Sequence, residues 1–123
     1  MKKTIQLFAL IILLSSGCTY KIVEQESIDT TDTISFNSQI VPIFEQNDNC
    51  TACHNTGGTS PDLTAANAYQ QLIDNNMVTI NNPETSPIYD FPAPETAKHD
   101  WKKYSVTEAQ TVLLWIEQGA NNN

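Results

Sequence analysis

Positive charge is scarce in this sequence: six basic residues stand against 14 acidic ones, for a formal charge of −8. A surface of that sign does not seek nucleic acid or anionic lipid. No long hydrophobic run is present either. The longest, residues 5–14, is ten residues and includes Gln6, whereas a helix needs about 20 residues to span a hydrocarbon core. No stretch alternates convincingly as a β-strand and no internal repeat is visible, which excludes β-sandwiches and solenoids. Sulfur and imidazole are also sparse, with three Cys, two Met and two His. No acid/base constellation of the kind enzymatic catalysis wants stands out.

The N-terminus is informative. Met1-Lys2-Lys3, the apolar run from Ile5 to Leu14 and the small residues Ser15, Ser16 and Gly17 read as a secretory signal over residues 1–17. Cys18 follows directly, and the segment resembles the lipobox of bacterial lipoproteins, which implies a lipidated Cys18 and an exported protein anchored on the periplasmic or cell-surface side of a bacterial membrane. An ordinary cleaved signal with a free Cys18 is the alternative. Loss of Lys2 and Lys3 with the signal takes the formal charge from −8 to −10. Residues 19–33 mix charges and hydroxyls without sustained periodicity and read, with Cys18 and Ile34, as a tether over 18–34 that would reach about 20 Å.

A single all-α domain is expected over 35–123. Phe36, Ile40, Ile43 and Phe44 fall at helical spacing, with Pro42 either in a first turn or at a kink. Thr64 is placed to cap a helix from Ala65 to about Asp74, which Asn75 and Asn76 end. A further helical turn or two is expected after Pro83, and Pro92 and Pro94 keep residues 90–98 irregular. In the last helix Ser105 and Glu108 form a capping box, Val106, Ala109, Val112, Leu113, Ile116 and Ala120 make one apolar stripe, and Gly119 supplies the stop.

The chemistry concentrates in Cys50-Thr51-Ala52-Cys53-His54, the C-x-x-C-H signature of c-type haem attachment. Two thiols three positions apart can each add to one haem vinyl group, and the adjacent His is delivered beneath the iron. Other readings fare worse. A thioredoxin-like dithiol lacks a βαβ context, a Cys50–Cys53 disulfide leaves His54 unexplained, and a zinc site built from Cys50, Cys53, His54 and His99 would force neighbouring residues onto one tetrahedral ion.

With Ile40-Val41-Pro42-Ile43-Phe44 before this motif and Trp115-Ile116-Glu117-Gln118-Gly119-Ala120 near the end, the chain resembles small bacterial monohaem c-type cytochromes of the lipoprotein kind. The resemblance covers residues 35–120. It implies a class I-like cytochrome c fold of three to five short helices around one covalent haem c, with crossed first and last helices and Phe44 and Trp115 near the crossing. It also implies a carbonyl near Pro61 that accepts a hydrogen bond from the proximal His54.

The distal iron ligand is a choice between His99 and Met77 once Met1 is removed. In cytochromes of this kind it comes from the loop before the last helix, which favours His99 and leaves Met77 as core filling. Two imidazoles lower the reduction potential relative to a His/Met pair. Trp101, Lys102, Lys103 and Tyr104 are candidate donors to haem propionates. The expected function is one-electron transfer with redox partner proteins; the negative charge is read first as keeping an exported protein soluble, and second as steering a partner with a basic docking surface. The alternatives are an accessory haem subunit of a larger oxidoreductase or a five-coordinate haem peroxidase or sensor.

Overall fold

A computed structural model describes residues 30–123 of the chain. The expected signal over 1–17, lipidation at Cys18 and most of the tether lie outside the described residues. Among the described residues the structure is helical, with no strand. No helix among them is long and apolar enough to cross a membrane.

The first helical segment opens at Ser35, whose hydroxyl accepts from the Ser38 amide. Its first turn, Phe36–Ile40, is wound in the wide π manner, with the Val41 amide donating to the Phe36 carbonyl, and it runs straight into α1, Val41–Glu45. Pro42 therefore falls at the start of α1, where its missing N–H costs nothing extra, and the wide turn before it relieves the clash a proline ring makes with the preceding turn. Phe36, Ile40, Val41, Ile43 and Phe44 all point inward and are buried.

Helix α2, Ala68–Asp74, starts three residues later than its sequence suggests. The expected cap, Thr64, accepts from no backbone amide through its hydroxyl, which donates to Asp62 at 2.6 Å, and residues 65–67 turn instead of winding. Asn75 and Asn76 do end the helix, and Asn76 adopts a left-handed backbone. A 3₁₀ turn, Pro83–Thr85, leads to the single turn of α3, Pro87–Asp90, each with proline at its opening. Residues 91–105 carry no regular element.

Helix α4, Val106–Glu117, has the expected capping box, Ser105 Oγ accepting from the Glu108 amide and the Glu108 carboxylate from the Ser105 amide. Its buried face is Ala109, Val112, Trp115 and Ile116, while Val106 is nearly half exposed. At the other end the Ala120 amide reaches the Trp115 carbonyl and the Gly119 amide the Ile116 carbonyl. That pair of bonds is a Schellman stop. It requires the φ of +100° that Gly119 adopts.

The two ends of the domain meet. Phe36 stacks on Trp115 with ring centres 5.2 Å apart, and Tyr69 meets Phe36 edge-on at the same separation. The aromatic partner of Trp115 across the terminal helices is thus Phe36, with Phe44 fully buried in the same cluster. Contacts beyond the expected boundary extend the fold toward the N-terminus. Ile34 is buried, its amide donates to the Gln118 side chain at 2.7 Å, and that side chain in turn donates to the Asp32 carbonyl at 2.9 Å. The folded unit therefore begins near Asp32 and takes in the last residues assigned to the tether.

Candidate metal and cofactor centre

The first helical segment delivers the chain to the motif through a reversal at Asn47 and Asp48, both left-handed (φ 56° and 51°). Asn and Asp tolerate this conformation better than most side chains. The Asn49 side chain then donates to the Ile43 carbonyl, and the Cys50 and Thr51 amides both reach the Phe44 carbonyl. Residues 50–54 wind into one helical turn closed by the Cys53 and His54 amides on the Cys50 carbonyl, at 3.1 and 2.9 Å. Both thiols are free, with Cys50 half-buried against the core and Cys53 exposed. Burial pushes the Cys50 thiol up to about 11, the Glu108 charge adding to the effect and Lys102 opposing it. Cys50 is therefore a neutral thiol near pH 7.

His54 is gripped twice by the loop that follows. Its ring Nδ1 lies 3.1 Å from the Pro61 carbonyl, and its own carbonyl accepts from the Leu63 amide at 2.8 Å. A carbonyl can only accept, so Nδ1 carries the hydrogen and Nε2 of the neutral ring keeps its lone pair free. This is the partner expected near Pro61. The close path of the loop also explains Gly58: a Cβ there would meet the Cys53 carbonyl at 2.5 Å.

His99, from the irregular segment before α4, is brought close to His54. The two ring centres are 6.1 Å apart with planes inclined by 30°. His99 Nδ1 lies 2.8 Å from the Lys102 carbonyl, so the same reasoning leaves its Nε2 free as well. An imidazole nitrogen binds a first-row metal ion at roughly 2 Å and lies about 1 Å from its ring centre, so two rings sharing one ion from opposite sides stand about 6 Å apart. The observed distance between ring centres is compatible with that spacing. Two imidazoles of fixed tautomer, beside two free thiols three residues apart, make a donor set suited to one metal held inside a covalently attached cofactor.

The remaining candidates separate cleanly. Met77 is half-buried against the core, with its amide on the Leu72 carbonyl and its carbonyl taken by the Ile88 amide. Tyr104 is a core residue and not a surface donor: its hydroxyl donates to the buried Ile88 carbonyl at 3.0 Å, and burial holds its phenol well above its ordinary range. Lys103 is committed to the Thr96 carbonyl, and Lys98 to Asp90. Trp101 is 95% exposed and Lys102 is exposed, so these two remain of the cationic-aromatic turn. Among the described residues no three His, Cys, Asp or Glu side chains converge as a metal cage, and Cys50, Cys53, His54 and His99 thus form no tetrahedral set.

The sequence reading missed Asp62 and the Lys102 carbonyl. Asp62 accepts from the Thr56 hydroxyl (2.7 Å), the Thr64 amide (3.0 Å) and hydroxyl (2.6 Å), and the Asn67 side chain (2.8 Å). An Asp followed two residues later by Thr is the only trace it leaves in the sequence. No protein-family model, no curated protein and no solved structure matches the chain.

Proposed function

We propose that the chain is a c-type cytochrome: a one-electron carrier with one covalent haem held by Cys50 and Cys53 and ligated by His54 and His99. The observation that carries this reading is the pair of neighbouring imidazoles, with ring centres 6.1 Å apart and each Nδ1 against a backbone carbonyl. When bound, the haem supplies a ferric/ferrous couple that accepts and returns a single electron. The protein's part is to hold and tune. The carbonyls of Pro61 and Lys102 fix each tautomer, raise the basicity of each Nε2 and thereby favour the more highly charged iron, a lever toward low potential.

The fold reading belongs to this proposal too. The helical domain, in which Phe36 of the first segment packs on Trp115 of the last helix, supports a class I-like cytochrome c arrangement. Export and attachment through a lipidated Cys18, on the periplasmic or cell-surface face of a bacterial membrane, rest on the N-terminal sequence and complete it. The exposed Trp101 and Lys102 beside His99 offer a contact for redox partner proteins. A five-coordinate peroxidase or sensor would need an open sixth position, and the placement of His99 speaks against it.

The test is expression with a working haem-ligation apparatus, followed by mass and optical and paramagnetic resonance spectra. A mass increase of one haem and a low-spin ferric signal of two imidazoles are expected. His99→Ala gives a high-spin iron and a raised potential, whereas Met77→Leu leaves the spectra unchanged. Colourless protein without added haem mass ends the proposal, and a Met-to-iron charge-transfer band lost in Met77→Leu reassigns the distal ligand.

A further inference from the structure

The hydrogen bond that orients His54 comes from a main-chain carbonyl, so no side chain at position 61 holds it in place. Its position depends on whatever holds residues 61–64, and no helix or strand runs between the turn at 50–54 and α2. Pro61 and Leu63 are buried, and the Asp62 carboxylate between them ties the segment to its neighbours. Oδ2 takes the Thr56 hydroxyl from the near side of the loop and the Asn67 amide from the start of α2, and Oδ1 takes both Thr64 donors. The residues on either side of Asp62 are the two that grip His54: Pro61 through its carbonyl and Leu63 through its amide.

Resting on the cytochrome reading, we infer that Asp62 is a positioning residue for the proximal ligand: it pins the Pro61 carbonyl against His54 Nδ1 and so holds down the reduction potential. A loosened carbonyl lengthens the bond to Nδ1–H, makes Nε2 a weaker donor and favours the ferrous state. Loss of the carboxylate's charge would push the potential the same way, so the two causes must be separated. Asn and Ala at position 62 are equally uncharged, but Asn keeps an oxygen for the Thr64 donors.

The experiment compares haem-loaded wild type, Asp62→Asn and Asp62→Ala by redox titration and by solvent exchange of the His54 Nδ1–H proton in NMR. Asp62→Ala is expected to raise the potential and speed that exchange, with Asp62→Asn falling between it and wild type on both. Ser105→Ala, which removes a helix cap on α4, is expected to lower stability without moving the potential. Equal shifts in Asn and Ala would reduce the effect to charge and overturn the inference, as would an unchanged proton exchange in Ala. Should Asp62→Ala not fold, Thr56→Val removes one of the four bonds and is expected to shift both readouts slightly in the same direction; no shift overturns the inference. Wild type without covalent haem sinks the cytochrome reading itself, whereas haem-loaded variants with equal shifts sink only the role of Asp62.

Discussion

At the scale of single residues, the most informative group is the Asp62 carboxylate. Hydrogen bonds from Thr56 and Thr64, and then from Asn67, hold its pKa well below the usual carboxylate range. A group with a depressed folded pKa adds stability above its unfolded value, near 4, and that contribution is lost as pH falls through the folded value. Asp62→Asn is therefore expected to flatten the acid limb of the unfolding curve below about pH 4, measured by circular dichroism. Equal acid sensitivity in the two proteins would contradict that. Cys50, Cys53, His54 and His99 could be singled out as candidates in the sequence because thiols and imidazoles announce their possible chemistry by residue type. The Lys102 carbonyl was not, since every residue has one and only the fold decides which faces a ring.

Among the elements, the last helix was legible at both ends because its stops are written in side chains, a Ser/Glu box and a glycine with left-handed backbone. Removing the box by Ser105→Ala is expected to cost about 1 kcal/mol in chemical denaturation. Gly119→Ala forces a Cβ into φ +100° and is expected to cost about 1 kcal/mol or more in the same assay. Helix α2 was readable at its C-terminus but not its start. A hydroxyl at the right place predicts a cap only if the fold aims it at the amides that follow, and that of Thr64 is aimed at Asp62, two residues earlier. The π turn before Pro42 was likewise hidden: the sequence offered a first turn or a kink, and the backbone reached the first-turn position by widening what precedes it.

For the molecule as a whole, the boundary of the folded unit was the least legible feature. Asp32 to Ile34 look like tether because one apolar residue among hydroxyls and acids makes no pattern, yet Ile34 is buried and strapped by Gln118 from more than eighty positions away. Such pairings leave no local trace. Gln118→Ala is expected to cost about 1–2 kcal/mol and to speed hydrogen exchange at the Ile34 amide; unchanged protection there would show the strap to be idle. The C-terminal residue Asn123 reinforces the same junction, its side-chain oxygen accepting from the Phe36 amide and its carbonyl from the Asn37 amide and the Ser35 hydroxyl.

The strap also has a mechanical meaning. A pull applied at Asp32 loads Gln118, with the Phe36–Trp115 contact and the Asn123 hydrogen bonds behind it. The loops that aim His54 and His99 are not in that line of force. A force applied at that end of the domain would therefore leave the spacing of the two imidazoles unchanged.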